Sequence, residues 1–316
     1  MRDLGTKPRP NLLTNSSLGS MRTCERKYYL RYIAGLRSSF RSSALAIGSA
    51  FHRGIELQTP LAAAHTIRET ANPAFPDTFV NESLEEKCVV VEAMVGAALS
   101  KWTSWPAARE EVFRVPLRAP SGWVSRSHDL AGVVDGWPDD DPASFWYSRI
   151  GEWKTTARLS DDYLLALQTK SQVSAYCFVA SILLGRPIRS MVFRIVQKPT
   201  IRRRTKRNPE SIEEYRTRLL QYYIERPELL MEIEILRTDE QLRDWAAEAW
   251  ETSKRDRGFR KGSALPIMND QSCAAIGRGR CTYLDLCARS VTEDAFDTVE
   301  DFHPEITAAM KENCSE

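Results

Sequence analysis

Leu130-Ala131-Gly132-Val133-Val134-Asp135-Gly136-Trp137, the turn-rich Pro138–Pro142 and Ser144-Phe145-Trp146-Tyr147-Ser148-Arg149-Ile150-Gly151-Glu152-Trp153 with Lys154-Thr155 after it decide the reading of this chain. Two apolar runs flank a connection rich in Pro and Asp, which is the pattern of two strands joined by a turn. The first ends in an aspartate and the second in Glu-Trp-Lys-Thr. In adjacent strands those carboxylates converge at one edge of the sheet. Glu152 and Lys154 are two residues apart and share a strand face, while Trp153 points to the other face. Its backbone carbonyl can still face the site. Two carboxylates, a carbonyl and waters make a hard-oxygen set suited to magnesium or manganese. Lys154 can hold or activate an attacking water and offset negative charge developing on a phosphate. A surface ion pair on an edge strand is the plain alternative for Glu152 and Lys154. The order of the surrounding elements argues against it.

Outward from this stretch, residues 1–13 read as a loose arm, and Thr14 or Ser16 caps a helix running to about Ile33, stopped by Gly35. Helices are expected over 44–58, with His52 and Glu56 one turn apart, and over 83–104. Glu111–Arg118 alternates as a strand. A helix at 161–184 carries Gln172 and Tyr176 on one face, with Gln168 one turn earlier as a rival to Gln172. A strand at Ser190–Gln197, a helix at 211–224, a strand at 231–236 and a helix at 239–257 follow. No internal repeat is visible.

The chain has 316 residues, a hydrophobic fraction of 42% and a formal net charge of +2, so a sizeable core is available and no overall basic field exists. Positive charge is local. Arg202, Arg203, Arg204, Lys206 and Arg207 crowd one segment, and Arg22, Arg26, Lys27, Arg31, Arg37 and Arg41 run along the N-terminal part. No apolar signal core or bilayer-length stretch is present, which leads to the expectation of a soluble intracellular protein with no membrane partner. Of seven cysteines, Cys24, Cys273, Cys281 and Cys287 bracket the chain, three of them close together among Gly277, Arg278, Gly279 and Arg280. Thiolates in a reducing compartment select iron–sulfur clusters or zinc. Cys88, Cys177 and Cys314 have no such company and read as core or incidental thiols. No Gly-Lys-Ser/Thr phosphate loop is present, so the chain brings no ATP motor.

Taken together, these blocks resemble the RecB-type branch of the PD-(D/E)XK nuclease superfamily, and are similar to phage exonucleases and to iron–sulfur nucleases such as AddB and the CRISPR adaptation nuclease. The resemblance rests on Ser17-Leu18 through Cys24-Glu25-Arg26-Lys27-Tyr28-Tyr29-Leu30, on Gly48-Ser49-Ala50-Phe51-His52, on Gly132–Gly136 with Gly151–Thr155, on Gln172-Val173-Ser174-Ala175-Tyr176, and on Cys281 through Cys287. Val134 stands where the family's name has proline. The Cys273–Cys281 gap is longer than in the CRISPR relatives, which leaves the cluster type open.

The resemblance implies an α/β fold: a restriction-endonuclease-like core with a central mixed sheet flanked by helices, its two ends joined by a cysteine-ligated cluster. It implies His52, Asp135, Glu152 and the Trp153 carbonyl as ligands of Mg2+ or Mn2+, with Lys154 catalytic. Gln172 and Tyr176 would contact DNA or brace Lys154. Cys24, Cys273, Cys281 and Cys287 would hold a [4Fe–4S] cluster, with zinc as the alternative. Residues 1–316 are expected to be a single nuclease domain: arm and first helix at 1–43, core at 44–200, basic loop and helices at 201–262, and cysteine end at 263–316. The expected activity is a metal-dependent DNA exonuclease of phage recombination or end processing, with DNA and a recombination or single-strand-annealing protein as partners. An endonuclease, a nuclease subunit of a larger complex and a catalytically idle DNA-binding protein are the alternatives. Arg202–Arg207 are expected to contact the DNA backbone.

Overall fold

The computed structural model describes residues 11–37, 43–70, 83–274, 280–301, 303 and 306–307. Arg41, Gly277, Arg278, Gly279 and Cys314, singled out in the sequence, lie outside the described residues. Two compact units result: one from Met1–Ser39, Val112–Val133 and Thr238–Glu316, the other from Phe40–Glu111 and Val134–Arg237.

The second unit holds every residue of the expected metal site. Its first helices are α3 (Ser43–Glu56), α4 (Pro60–Thr70) and α5 (Leu84–Lys101), α1 and α2 belonging to the other unit. α4 was not expected from the sequence. A helical glycine normally weakens a helix, yet Gly54 has a packing reason. A Cβ there would come within 2.7 Å of Val95 and 2.9 Å of Ala63, so only glycine lets α3 lie this close to its neighbours. Phe51, Ile55, Ile67, Met94 and Val95 fill that junction, all fully buried.

Strands β3 (Arg109–Arg118), β4 (Val124–Gly136), β5 (Arg149–Thr156), β6 (Ser190–Gln197) and β7 (Leu230–Leu236) follow, with α6 (Asp161–Gln168) and α7 (Ser171–Leu184) between β5 and β6 and α8 (Ile212–Ile224) before β7. Within the second unit the end of β4 meets β5 antiparallel at Gly136 and Gly151, β5 runs parallel to β6, and β6 runs antiparallel to β7. The result is a mixed sheet flanked by helices. β6 is buried along nearly its whole length, as expected for a central strand covered on both faces. Its one charge, Arg194, is held by Glu232 at 2.7 Å and by the Ser104 carbonyl at 2.5 Å. The rings of Trp102, Trp105, Trp146 and Trp153 surround that guanidinium at 4.8–5.8 Å, a cation–π box in the core.

Three expected elements are corrected here. The strand anticipated over 144–153 begins only at Arg149, because Ser144 and Asp139 close a turn: Trp146 N–H donates to Ser144 Oγ at 3.0 Å and Ser144 Oγ donates to Asp139. The helix anticipated over 161–184 breaks at Thr169–Lys170. Arg237 takes the carbonyls of Gln168 (2.7 Å) and Lys170 (3.2 Å) and the Ser174 hydroxyl (3.0 Å), satisfying acceptors that a continuous helix would have kept for itself.

The helix expected to run to Ile33 breaks at Cys24, in the other unit. There α1 (Asn15–Thr23) ends, Cys24 is extended, and α2 (Glu25–Tyr28) passes into a π-helix at Tyr29–Ile33. Residues from the far end of the chain occupy the break. Asn269 donates to the Thr23 carbonyl at 3.0 Å, Arg26 N–H donates to Ile267 at 3.0 Å, and the Glu25 carboxylate receives Arg255 through two nitrogens. This unit also pairs β1 (Leu12–Leu13) parallel with β4, and β3 with β4. β2 (Leu36–Arg37) pairs antiparallel with β8 (Asp297–Thr298). Helix α9 (Asp239–Arg260) supplies Asp256, a fully buried carboxylate bound by Tyr28, His128 and Arg260 at 2.5–2.7 Å. Such a charge is tolerated in a core only when its acceptors are filled, as here. Among the described residues no helix is long and apolar enough to cross a membrane.

Candidate active site

The close pairing of β4 with β5 sets the geometry. Gly136 and Gly151 face each other with no side chains between them, and Trp153 fills the space beside them: a Cβ on Gly151 would lie 2.6 Å from the Trp153 ring. One residue before Gly136, Asp135 accepts the Trp153 backbone N–H on Oδ2 at 2.7 Å. Glu152 lies just before Trp153, buried to 1% exposure, and Lys154 just after it makes an ion pair with Glu152 Oε1. The shared strand face expected for Glu152 and Lys154 is thus realised.

Helix α3 brings His52 from the other side of the site. Its Nδ1 lies 3.4 Å from Asp135 Oδ1 and 3.6 Å from Glu110 Oε1. Ligand atoms of His52, Glu110 and Asp135 all fall within 4.8 Å of one another. Glu110 was missed by the sequence reading, which began the strand one residue later, at Glu111. Its backbone is in the left-handed region, φ +54°, a conformation that costs a non-glycine residue about 1–3 kcal/mol and is found disproportionately at functional sites. No periodicity signals it.

Gln172, in the first turn of α7, donates from Nε2 to Glu152 Oε1 at 2.9 Å. It shares that oxygen with Lys154, where a contact to DNA or a brace for Lys154 was expected. Tyr176, one turn on, is buried beside it. Gln168 is exposed before the break in the helix, and of the two glutamines it is Gln172 that contacts Glu152. An open cleft of about 740 Å³ leads to the site, lined by His52, Glu56, Glu110, Lys154 and Lys198 among others.

Charge in this cluster is strongly coupled. Burial favours a neutral Glu152 and the Asp135 carboxylate adds to it, pushing the Glu152 pKa up to about 7. Burial opposes ionisation of Asp135 too, yet His52 and Lys154 outweigh it and hold this carboxyl below its ordinary value. For His52, burial disfavours the cation, but the Asp135 carboxylate and Glu110 raise it to about 10. Lys154 is likewise pushed upward, desolvation being overcome by Glu152 and Asp135. Burial, with Glu152 and Asp135 adding to it, raises the Tyr176 phenol and keeps it protonated.

A divalent cation fits this donor set. Glu152 Oε2 is buried without a hydrogen-bond partner, an arrangement costly in a protein interior, and Glu110 Oε1 meets only His52, at 3.6 Å. Imidazole and carboxylate are the donors that magnesium-, manganese- and related sites use.

The basic segment is less uniform than its sequence suggests. Arg203 Nε donates to Glu86 at 2.6 Å, and Arg204 Nε to Glu210 at 2.9 Å. Glu210 also receives Arg218, and these guanidinium groups hold its pKa down at about 2. Arg202, Lys206 and Arg207 are exposed, as is Arg204 despite its pairing with Glu210. In the other unit, Cys24, Cys273, Cys281 and Cys287 gather. Cys281 N–H donates to the Cys273 carbonyl at 2.8 Å, Asn269 N–H donates to Cys24 Sγ at 3.4 Å, and the thiols of Cys273 and Cys287, raised first by burial, are raised further by their cysteine neighbours. Cys88 and Cys177 are buried core thiols, as expected.

The family model of the PD-(D/E)XK nuclease superfamily matches residues 13–288. Among solved structures, one from Eubacterium rectale named "Putative exonuclease" is similar in fold, with a TM-score of 0.53 at 13% identity, covering 89% of each chain. A structure named SSO0001 matches with a TM-score of 0.34 at 11% identity, over 88% of this chain and 92% of that one. No curated protein matches.

Proposed function

The chain belongs to the PD-(D/E)XK nuclease superfamily, and from that premise we propose that it is a divalent-metal-dependent deoxyribonuclease, an exonuclease acting on DNA ends in phage-type recombination or end processing. The observation that carries the reading is the junction of His52, Glu110 and Asp135 with the unpartnered Glu152 Oε2. Those four side chains, with the Trp153 carbonyl, would hold Mg2+ or Mn2+. Such an ion supplies charge stabilisation to a phosphoryl group and lowers the pKa of bound water.

Around it, this chain's own residues have separable tasks. Lys154 stays protonated beside Glu152 and Asp135, so it serves as a fixed cation toward the developing phosphate charge and as a hydrogen-bond donor to water. Gln172 donates to Glu152 and fixes its rotamer. Trp153 N–H fixes Asp135 in the same way. Tyr176, protonated and buried, supports Gln172. The exposed cations Arg202, Lys206 and Arg207 are read as backbone contacts to DNA, with Arg203 and Arg204 shaping the segment that carries them.

The four gathered cysteines are read as the ligands of a [4Fe–4S] cluster, with zinc as the alternative, that ties residue 24 to residue 287. Each unit draws on separated chain segments, and we read 1–316 as one nuclease domain. The partner expected beside DNA is a recombination or annealing protein. The test is digestion of linear duplex, closed circular duplex and single-stranded DNA with magnesium or manganese. Cleavage of linear but not circular DNA supports an exonuclease. Cutting of the circle replaces it with the endonuclease reading, and inertness toward all three with the idle DNA-binding one.

A further inference from the structure

A second cavity, of about 520 Å³, lies beside the catalytic cleft, and Lys198 lines both. Lys87, Lys198 and Arg202 contribute cations to its wall. The acid on that wall, Glu86, is engaged by Arg203 at 2.6 Å. The position of Lys198 is well determined: its backbone N–H donates to the Thr156 carbonyl at 2.8 Å, where β5 ends two residues after Lys154. Lys87 sits in the first turns of α5, an eighteen-residue helix whose N-terminal end adds a partial positive charge.

Arg203, Arg204 and Arg218 nearby are each matched to a glutamate. Lys87, Lys198 and Arg202 line one cavity, together with Arg203 and its partner Glu86. Burial disfavours the charged form of both lysines, and for Lys87 the nearness of Lys198 and Arg202 disfavours it further. An anion in the cavity would relieve both costs. The volume is in the range of small-ligand sites, and the shared Lys198 places the cavity beside the cleft lined by Lys154.

We propose that Lys87, Lys198 and Arg202 form a phosphate-binding subsite that holds the substrate strand one or more nucleotides away from the phosphodiester at the metal site. The subsite rests on the nuclease reading for its substrate, and it assigns roles to Lys87 and Lys198 that their sequence context did not suggest. A phosphate there fixes the direction in which the strand leaves the cleft.

The test is fluorescence anisotropy with a labelled single-stranded octathymidylate in EDTA, over a series of salt concentrations, so that binding is read without turnover. The Lys87→Gln, Lys198→Gln double variant should bind about tenfold more weakly or worse. Its log–log salt slope should fall by about 1.4, at about 0.7 per lost phosphate contact. Lys87→Arg with Lys198→Arg should restore both, and Lys254→Gln, at an exposed position of α9 that does not line the cavity, should change neither. Arg202→Gln, at an exposed position, tests the subsite if the double variant fails to fold. Wild-type affinity and slope in a folded double variant, or in Arg202→Gln, overturn the subsite. Repeating the titration with 5′-phosphorylated and 5′-hydroxyl oligonucleotides tells the two phosphate sources apart. An equal loss assigns an internal diester, and a loss confined to the phosphorylated strand assigns a terminal phosphate. Binding that depends on the lysines in a protein that cuts nothing would keep the subsite and remove the nuclease reading. Cleavage with lysine-independent binding would do the reverse.

Discussion

Asp135 Oδ2 accepts the backbone N–H of Trp153 at 2.7 Å, so the carboxylate that ends one strand is fastened to the residue between Glu152 and Lys154 on the next. Two parts of the proposed site are thereby held in register by a bond between a main-chain donor and the Asp135 carboxylate. The strand pair at Gly136 and Gly151 brings them that close. Disturbing the side chains should therefore alter chemistry well before it alters the fold.

Glu110 is the most informative of these side chains, because it entered through geometry alone. Glu110→Gln keeps shape and removes a negative donor. It should weaken manganese binding by at least about tenfold, with little change in the unfolding temperature of the metal-free protein. Calorimetric titration with manganese checks this. Affinity equal to wild type would take Glu110 out of the ligand set.

Gln172→Ala frees Glu152 Oε1 from its neutral donor and leaves the Lys154 ion pair in place. Turnover should drop about tenfold or more, while the dissociation constant for DNA measured without metal stays within about twofold of wild type. Gln168→Ala, at an exposed position, should have no effect. Equal losses from both would mean that α6 and α7 act through general stability.

Metal binding should strengthen as pH rises. Glu152 holds its proton up to about 7 and His52 up to about 10 in the metal-free protein, and both must release it to coordinate a cation. The sign for stability is the opposite. Raised folded-state values mean stabilisation that is complete below the ordinary values, 4.5 and 6.5, and is lost as pH climbs through 7 and 10 respectively. The rise in unfolding temperature on adding magnesium should grow across about pH 6 to pH 8. A metal-induced shift that is flat over this range would contradict the coupling.

Cysteine ligation has a visible signature. Anaerobically prepared protein should be brown with about four irons per chain. Cys24→Ser should lose iron as fully as Cys281→Ser, because the two sulfurs would hold one centre. Cys88→Ser, a change in the core, should keep it. Colourless protein with stoichiometric zinc would replace the iron–sulfur reading, and a Cys24 variant with full iron would remove Cys24 as a ligand.

Much of the site was legible because it depends on period-two and one-turn spacings. Asp135, Glu152 and Lys154 follow from strand alternation, and Gln172 from its one-turn spacing to Tyr176. What was not legible depends on tertiary partners. The break at Thr169–Lys170 exists because Arg237, more than sixty residues later, accepts no part in a strand and instead fills the freed carbonyls. The break at Cys24 depends on Asn269 and Ile267 in the same way. Glu110 reaches His52 through a left-handed backbone that no local pattern encodes. The arginines of 202–207 look alike in sequence, but Glu86 and Glu210 make two of them structural partners.

The central claim is that this cluster of carboxylates, histidine and lysine cuts a phosphodiester. It is tested most directly by single-turnover cleavage of end-labelled linear duplex DNA with magnesium, comparing wild type with Glu152→Gln and with Lys154→Met, each shown to unfold cooperatively. Removing a group that acts on developing charge should slow cleavage by about a hundredfold to a thousandfold or more, with DNA binding within about threefold of wild type. Wild-type cleavage rates in either folded variant would contradict it.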